Sequence, residues 1–305
     1  MLSLFNLFTF LVYVIVTVIF FVLVAFFVLL ERKILGVCQA RLGPQKVSFL
    51  GILQSFADFI KLLAKLGVSF GSYKGLKYRG LFYWLGVIYF LLGATTFISF
   101  FILGNVSSWV VSNYTCWLIV FSSLSGYGFI MCGWGSNSKY SLYGAIRASF
   151  SSISFEGVLM CIVLSVGLYY GCYSFSVINN YEGSLSIGAL TLYICSVIGV
   201  MSECNRSPFD FSESESDLVS GFNTDYYGAS FAILFASEYS IMIFFSWFLG
   251  YFFMGSLLGL GFFFFHSFIL IFVRACFPRF RYDYYVNFVW KNLFIVYFLL
   301  LFVLL

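Results

Sequence analysis

The chain has 305 residues, 62% of them hydrophobic and only 9% charged, with a formal net charge of +4. A soluble domain carries roughly a quarter charged residues, so this chain lacks the polar side chains for a hydrated surface and its expected solvent is the bilayer. That excludes a soluble enzyme or a nucleic-acid-binding module, and it makes the placement of charge more informative than its sum.

A hydrocarbon core of about 30 Å needs about 20 apolar residues per helix. Eight runs meet that need, about 6–30, 80–103, 114–134, 143–170, 185–203, 228–253, 256–275 and 285–305. The expectation is an all-α, polytopic integral membrane protein: one membrane domain with eight transmembrane helices. The first run is too long for a signal peptide and lacks a small-residue cleavage site, so it reads as a retained helix. The sixth and seventh runs are divided mainly by Gly255 and by their summed length. The 43 phenylalanines fit a T-rich genome, in an organelle or an AT-rich microbe, because lipid-facing positions tolerate any large apolar side chain.

The first connection follows the first run and is strongly basic. Arg32, Lys33, Arg41, Lys46, Lys61, Lys65, Lys74, Lys77 and Arg79 all fall between positions 31 and 79. Within it, Gln54, Asp58, Lys61 and Lys65 recur at helical steps, and Leu53, Phe56, Ile60 and Leu63 fill another face. This pattern predicts an amphipathic helix along the inner membrane interface, or a linker helix lying on the surface. The third connection is flanked by Lys139 and Arg147, the fifth holds Arg206, and the seventh holds Arg274, Arg279 and Arg281, with Lys291 just inside the last run. All sixteen basic residues thus belong to one face, while the connections near 104–113, 171–184 and 254–255 have none. The bias predicts the basic face as the inner one and both termini on the outer one.

Acidic residues within the spans are the first candidates for chemistry. A carboxylate at mid-bilayer costs on the order of 3 kcal/mol, and such groups usually mark ion or proton pathways. Glu156 lies in the fourth run, Glu203 closes the fifth and Glu238 lies in the sixth. The fifth connection gathers Glu203, Asp210, Glu213, Glu215 and Asp217 around Arg206, against the positive bias of its own face. The interleaved Phe209 and Phe211 argue for partial burial of this cluster over a solvated acidic loop.

Other signals are weak. The cysteines, at Cys38, Cys116, Cys132, Cys161, Cys172, Cys195, Cys204 and Cys276, form no Cys-x-x-Cys pair, so they indicate neither zinc nor an iron–sulfur cluster. His266 sits in an apolar run and reads as a buried, hydrogen-bonded side chain. Gly126-x-Gly128 lacks the third glycine of a dinucleotide loop and reads as helix packing, and the Gly255–Gly259 spacing is close to chance. No residue set is suited to hold an electron, so redox chemistry here would need a partner's cofactor.

The inner-face segments together resemble one family. Glu31-Arg32-Lys33-Ile34-Leu35-Gly36 followed by Gln39-x-Arg41-x-Gly43-Pro44, then Gly51-x-Leu53-Gln54-x-Phe56-Ala57-Asp58-x-x-Lys61, are similar to the first inner loop of the quinone-channel membrane subunit of respiratory NADH:quinone oxidoreductases (complex I). Ile153-Ser154-x-Glu156 resembles its fourth helix. Glu203-x-Asn205-Arg206-x-Pro208-Phe209-Asp210, Glu213-x-Glu215-Ser216 and Ser220-Gly221-Phe222-Asn223 resemble its fifth connection. Arg274, Pro278-Arg279-Phe280-Arg281-Tyr282-Asp283 and Trp290-Lys291-Asn292 resemble its seventh connection and last helix.

The resemblance implies a subunit of a proton-pumping complex in the mitochondrial inner membrane, with a bacterial plasma membrane as the other setting. Ubiquinone or a related quinone would be the substrate. NADH, FMN and iron–sulfur clusters would belong to partners: the hydrophilic-arm subunits, including the bearer of the terminal cluster, beside adjacent small membrane subunits. It implies that Arg32, Arg41, Asp58 and Arg274 line or border the quinone channel. Glu156, Glu203, Asp210, Glu213, Glu215 and Glu238 would form the carboxylate pathway that couples quinone reduction to proton translocation. Four positions depart from the family's pattern: Ser55 for a proline, Phe59 for a small residue, Ser214 for a glycine and Asp217 for Glu or Gln. Phe59 would narrow or reshape the quinone entrance, and Asp217 shortens an acidic reach. The alternatives are the homologous membrane subunit of an ion-pumping hydrogenase and a stand-alone proton or ion transporter, although the internal repeats of many transporters are not visible.

Overall fold

The structure, a computed structural model, describes residues 2–65, 77–103, 114–171, 173, 187–212, 221–226 and 228–304. Every regular element among them is helical. In chain order they are α1 (Leu2–Cys38), α2 (Gln54–Ala64), α3 (Lys77–Leu103), α4 (Tyr114–Gly135), α5 (Lys139–Tyr170), α6 (Ile187–Glu203), α7 (Gly228–Cys276), α8 (Tyr282–Phe288) and α9 (Phe294–Leu304). Short 3-10 turns cover Phe49–Gly51 and Gly221–Asp225, and a π-helical turn at Val289–Leu293 joins α8 to α9. Pro44, Pro208 and Pro278 lie between helices, where a missing N–H breaks no helical bond.

Among the described residues, six helical stretches are long and apolar enough to cross a membrane: Leu11–Cys38, Gly80–Ser99, Thr115–Gly135, Lys139–Tyr170, Gly228–Gly250 and Tyr282–Phe302. Two shorter apolar helices cover Leu190–Glu203 and Gly261–Cys276. Large apolar side chains stand outward on these stretches, with Val18 58%, Leu81 60% and Leu299 61% exposed. A water-soluble surface does not carry such a continuous apolar coat.

The sequence divides two spans at 254–255, yet the backbone stays helical from Gly228 to Cys276. A straight helix of that length would run about 74 Å. The contacts rule out a straight path. The rings of Phe253 and His266 both lie against Tyr193, with centroids 5.3 and 5.2 Å away. Tyr239 lies against Phe27 of α1, and Arg274 is ion-paired to Glu31 one turn further along the same helix. The chain therefore reverses between Phe253 and His266, and α7 is two limbs laid side by side.

The bundle has two chemically distinct ends. At one end Thr115 Oγ1 donates to the Tyr173 carbonyl (3.0 Å) and Tyr170 OH to the Phe252 carbonyl (3.2 Å). At the other end the basic connections meet. Phe222 N donates to Ser212 O (2.9 Å), Phe280 N to Pro208 O (3.0 Å), and the Gly221–Asp225 turn lies on the start of α5 at Gly144. Ser138 begins α5 by accepting from Ser141 N (3.2 Å), and Gly171 ends it with a left-handed φ of 67°.

Burial of apolar surface does not hold helices together in lipid, because the tails are as apolar as the side chains. Cohesion comes from close approach of small residues and from satisfied polar groups. α5 buries Ser141, Gly144, Ala145, Ala148, Ser149, Ser151, Ser152 and Ser154 along one side. Ser149, Ser151, Ser152 and Ser154 donate to carbonyls three residues back, so none of these four hydroxyls is stranded in a dry interior. Gly126 of α4 faces Ser152, and Gly128 lies on the Phe90 ring, which fits the packing role expected of that pair.

Candidate functional site

The charged residues of the basic end collect into a row. It starts on α1, where Phe27 and Glu31 are four residues apart and so face the same way. Glu31 is 2% exposed and takes an ion pair from Arg274 of the returning limb of α7. Tyr239, on the outgoing limb, packs on Phe27 and lies within electrostatic reach of Glu31 and Arg274.

The next pair is buried more deeply. Phe235, Glu238 and Tyr239 share one face of α7 at steps of three and four. Arg206 enters that face, its Nη2 donating to Glu238 Oε2 at 3.3 Å with both residues buried. Its guanidinium lies 4.3 Å over the Tyr239 ring and 5.6 Å from that of Phe235. The ring faces offer negative potential to the cation, and the carboxylate neutralises it. Two buried charges would each cost several kcal/mol alone; paired and ring-stacked, they are tolerated.

Cys204 sits within reach of Glu203, Arg206 and Glu238 together, which connects the pair to the end of α6. Glu203 is 6% exposed and accepts from Ser125 Oγ of α4 at 3.2 Å, while its Oε2 is buried with no hydrogen-bond partner among the described residues. Glu156, half-buried on α5, is close enough to Glu203 for the two carboxylates to repel. Asp210, buried in the segment after α6, accepts from Arg279 at 3.0 Å. Phe209 stacks on Phe280 at 5.9 Å, so apolar rings cover the segment that carries this acid.

A second, more open pair stands beside the row. Arg32 Nη1 donates to Asp58 Oδ2 at 2.6 Å, and Gln54 Nε2, one turn earlier on α2, donates to the other oxygen at 2.9 Å. Phe56 packs on Phe26 of α1 with centroids 5.8 Å apart, leaving Phe59, Ile60 and Leu63 exposed. Phe59, read from sequence as a side chain at an entrance, is 49% exposed.

Of the residues expected from sequence, Arg32 and Asp58 are brought into contact, and Glu156, Glu203 and Glu238 belong to one buried neighbourhood. Arg274 pairs with Glu31. Arg41 is exposed, its backbone N–H bonded to Gly36 O at 2.8 Å. Glu213 and Glu215, with Ser214 and Asp217, lie outside the described residues. Sequence reasoning did not single out Glu31, Arg206, Tyr239 or Arg279 as site residues, although each lies in a stretch rich in recognisable motifs or next to a candidate acid. The usable signal was helical spacing: Glu31 falls four residues after Phe27, and Tyr239 directly after Glu238. His266 is buried, with Nδ1 2.6 Å from the Phe262 carbonyl, as a structural histidine would be. Among the described residues no group of three or more His, Cys, Asp or Glu is placed to hold a metal ion.

Comparison with known proteins identifies the family. A family model described as NADH dehydrogenase matches residues 11–305. NADH-ubiquinone oxidoreductase chain 1 of Artemia franciscana is 40% identical over 278 residues, covering 88% of this chain and 89% of its own length. The proteins of that name from Aedes aegypti and Mytilus edulis are 37% and 38% identical, each over 88% of this chain, covering 86% and 88% of their own lengths. A match of this extent, over a helical membrane-type bundle with a buried row of charges, shows that the chain belongs to the NADH dehydrogenase family.

Proposed function

We propose that this chain is the membrane subunit of a mitochondrial NADH:ubiquinone oxidoreductase that forms much of the quinone channel and the first part of its proton-coupling path. The observation that carries the reading is the largely buried row from Glu31–Arg274 through Arg206–Glu238 to Glu203 and the half-buried Glu156, beside the open Arg32–Asp58 pair. In this reading the eight apolar stretches cross the inner membrane, α2 lies along its inner interface, and both termini face the intermembrane space. NADH, FMN and iron–sulfur clusters are held by partner subunits, and electrons reach the quinone from outside this chain.

The chemistry follows from charge. A quinone that gains two electrons takes two protons to become the quinol, and until they arrive it bears negative charge. Arg32 and Arg274 are the cations that meet such charge, and Asp58 and Glu31 are the carboxylates whose pairing it disturbs. Charges this close act on one another through a medium of low dielectric, so a change at Glu31–Arg274 is felt through Tyr239 and Arg206–Glu238 toward Glu203 and Glu156. Glu213 and Glu215 are assigned to the same proton pathway in this proposal.

The test uses assembled complex. Asp58→Ala and Arg274→Ala should each lower quinone-linked turnover by about tenfold or more, as loss of a charge-assisted hydrogen bond of about 1.5–3 kcal/mol requires. NADH oxidation by an artificial acceptor should persist at the level set by the amount of complex. Unchanged quinone turnover in both variants removes Asp58 and Arg274 from the channel.

A further inference from the structure

Tyr285 stands where three parts of this row meet. It is 2% exposed, in the first turn of α8. Its hydroxyl lies 3.2 Å from Ser154 Oγ of α5, two residues before Glu156, and also meets the hydroxyl of Ser202, the neighbour of Glu203 at the end of α6. Its ring packs on Phe209 and Phe211, with centroids 5.1 and 4.9 Å away, on either side of Asp210. The stretch just before it is tied to the same segment by Arg279–Asp210 and by the Phe280–Pro208 backbone bond.

Both serines also bond within their own helices. Ser154 Oγ donates to the Ser151 carbonyl (2.7 Å), and Ser202 Oγ donates to the Gly199 carbonyl (2.6 Å). A phenol has one proton and an accepting oxygen, so Tyr285 donates to one serine while its oxygen lies open to the other, and a single hydroxyl bridges α5 and α6.

We propose that Tyr285 is a positioning residue of the carboxylate row: its hydroxyl clasps the Glu156-bearing helix to the Glu203-bearing helix end, and its ring seats the segment that holds Asp210. The inference rests on the functional reading above and deepens it, because it names the side chain through which a shift of the Arg206–Ser212 segment alters the spacing of Glu156 and Glu203. A merely space-filling aromatic would need no hydroxyl aimed between two helices at that depth.

Tyr285→Phe removes the hydroxyl and keeps the ring. In assembled complex, normalised to NADH oxidation by an artificial acceptor, it should lower quinone-linked turnover about fivefold, the effect of one hydrogen bond of about 1 kcal/mol. The quinone KM should stay within about twofold, and the midpoint of the pH profile should move by about half a unit to one unit. Ser154→Ala combined with Ser202→Ala should reproduce the pH shift with Tyr285 intact. Wild-type turnover and pH profile in Tyr285→Phe overturn the proposal. So does a variant that merely assembles less while each complex keeps its normal rate and pH profile. Glu203→Gln in the same assay separates the two levels. If it slows turnover and Tyr285→Phe does not, only this inference fails; if neither slows it, the functional reading fails as well.

Discussion

Arg206 and Glu238 illustrate how a single pair decides whether a buried charge is tolerable. Sequence made Glu238 visible as an acid in an apolar run, but its partner lies in a connection thirty-two residues earlier, and no local period links the two. Removing Arg206 leaves Glu238 buried without the guanidinium that stands 3.3 Å from it. Arg206→Ala should therefore destabilise the protein by about 3–5 kcal/mol, the usual cost of breaking a buried pair from one side. Arg206→Ala with Glu238→Gln should recover much of that loss, because the stranded charge goes with its partner. Thermal unfolding of detergent-purified complex measures both, and a double variant no more stable than Arg206→Ala alone would show that the pair is not what holds this region.

At the scale of helices, the glycines separate packing from mere flexibility. A Cβ on Gly144 would stand 2.5 Å from Phe222 N and 3.0 Å from Ser212 O, both backbone atoms that cannot rotate away. One on Gly93 of α3 would meet nothing within 4 Å. Gly144→Ala should lower stability by about 1–3 kcal/mol through overpacking and displace the Gly221–Asp225 turn from α5. Gly93→Ala should be neutral or stabilising by up to about 1 kcal/mol, since alanine is the better helix former. Equal midpoints for the two variants in a thermal shift measurement would contradict this division. The same scale shows why sequence was partly legible. Span existence is written in hydropathy, and the basic connections in charge, because both follow from the solvent. The reversal between the limbs of α7 is not so written. No proline marks it and Gly255 is one glycine among 27, so only contacts such as Phe253 and His266 on Tyr193 reveal it. The carboxylate candidates were legible as misfits to lipid, but the arginines and the tyrosine that make them tolerable were not, since a cation at a span end fits the bilayer unaided.

For the whole molecule, the separation of the two ends makes a claim about direction. α5 is 32 residues long, about 48 Å, so it more than spans a 30 Å core, with Lys139 and Arg147 near one end and Gly171 just past the other. Arg281 is exposed at the start of α8, at the end where Arg279 reaches Asp210. If the positive bias sets orientation, Arg281 faces the mitochondrial matrix and Gly171 the intermembrane space. Among the described residues Cys38 and Cys276 are exposed and would react in their own right, and Cys172 adjoins Gly171 in the sequence, so all three are best replaced by serine first. In that background Gly171→Cys should be labelled by a membrane-impermeant maleimide in intact mitoplasts. Arg281→Cys should be labelled only in inverted membrane vesicles stripped of the hydrophilic arm. Labelling of both from one side would mean that α5 and the Tyr282–Phe302 stretch do not connect opposite faces as the charge pattern requires. The reverse assignment would turn the buried row toward the wrong compartment for a quinone site fed by a matrix-side electron donor, and would end the functional reading with it.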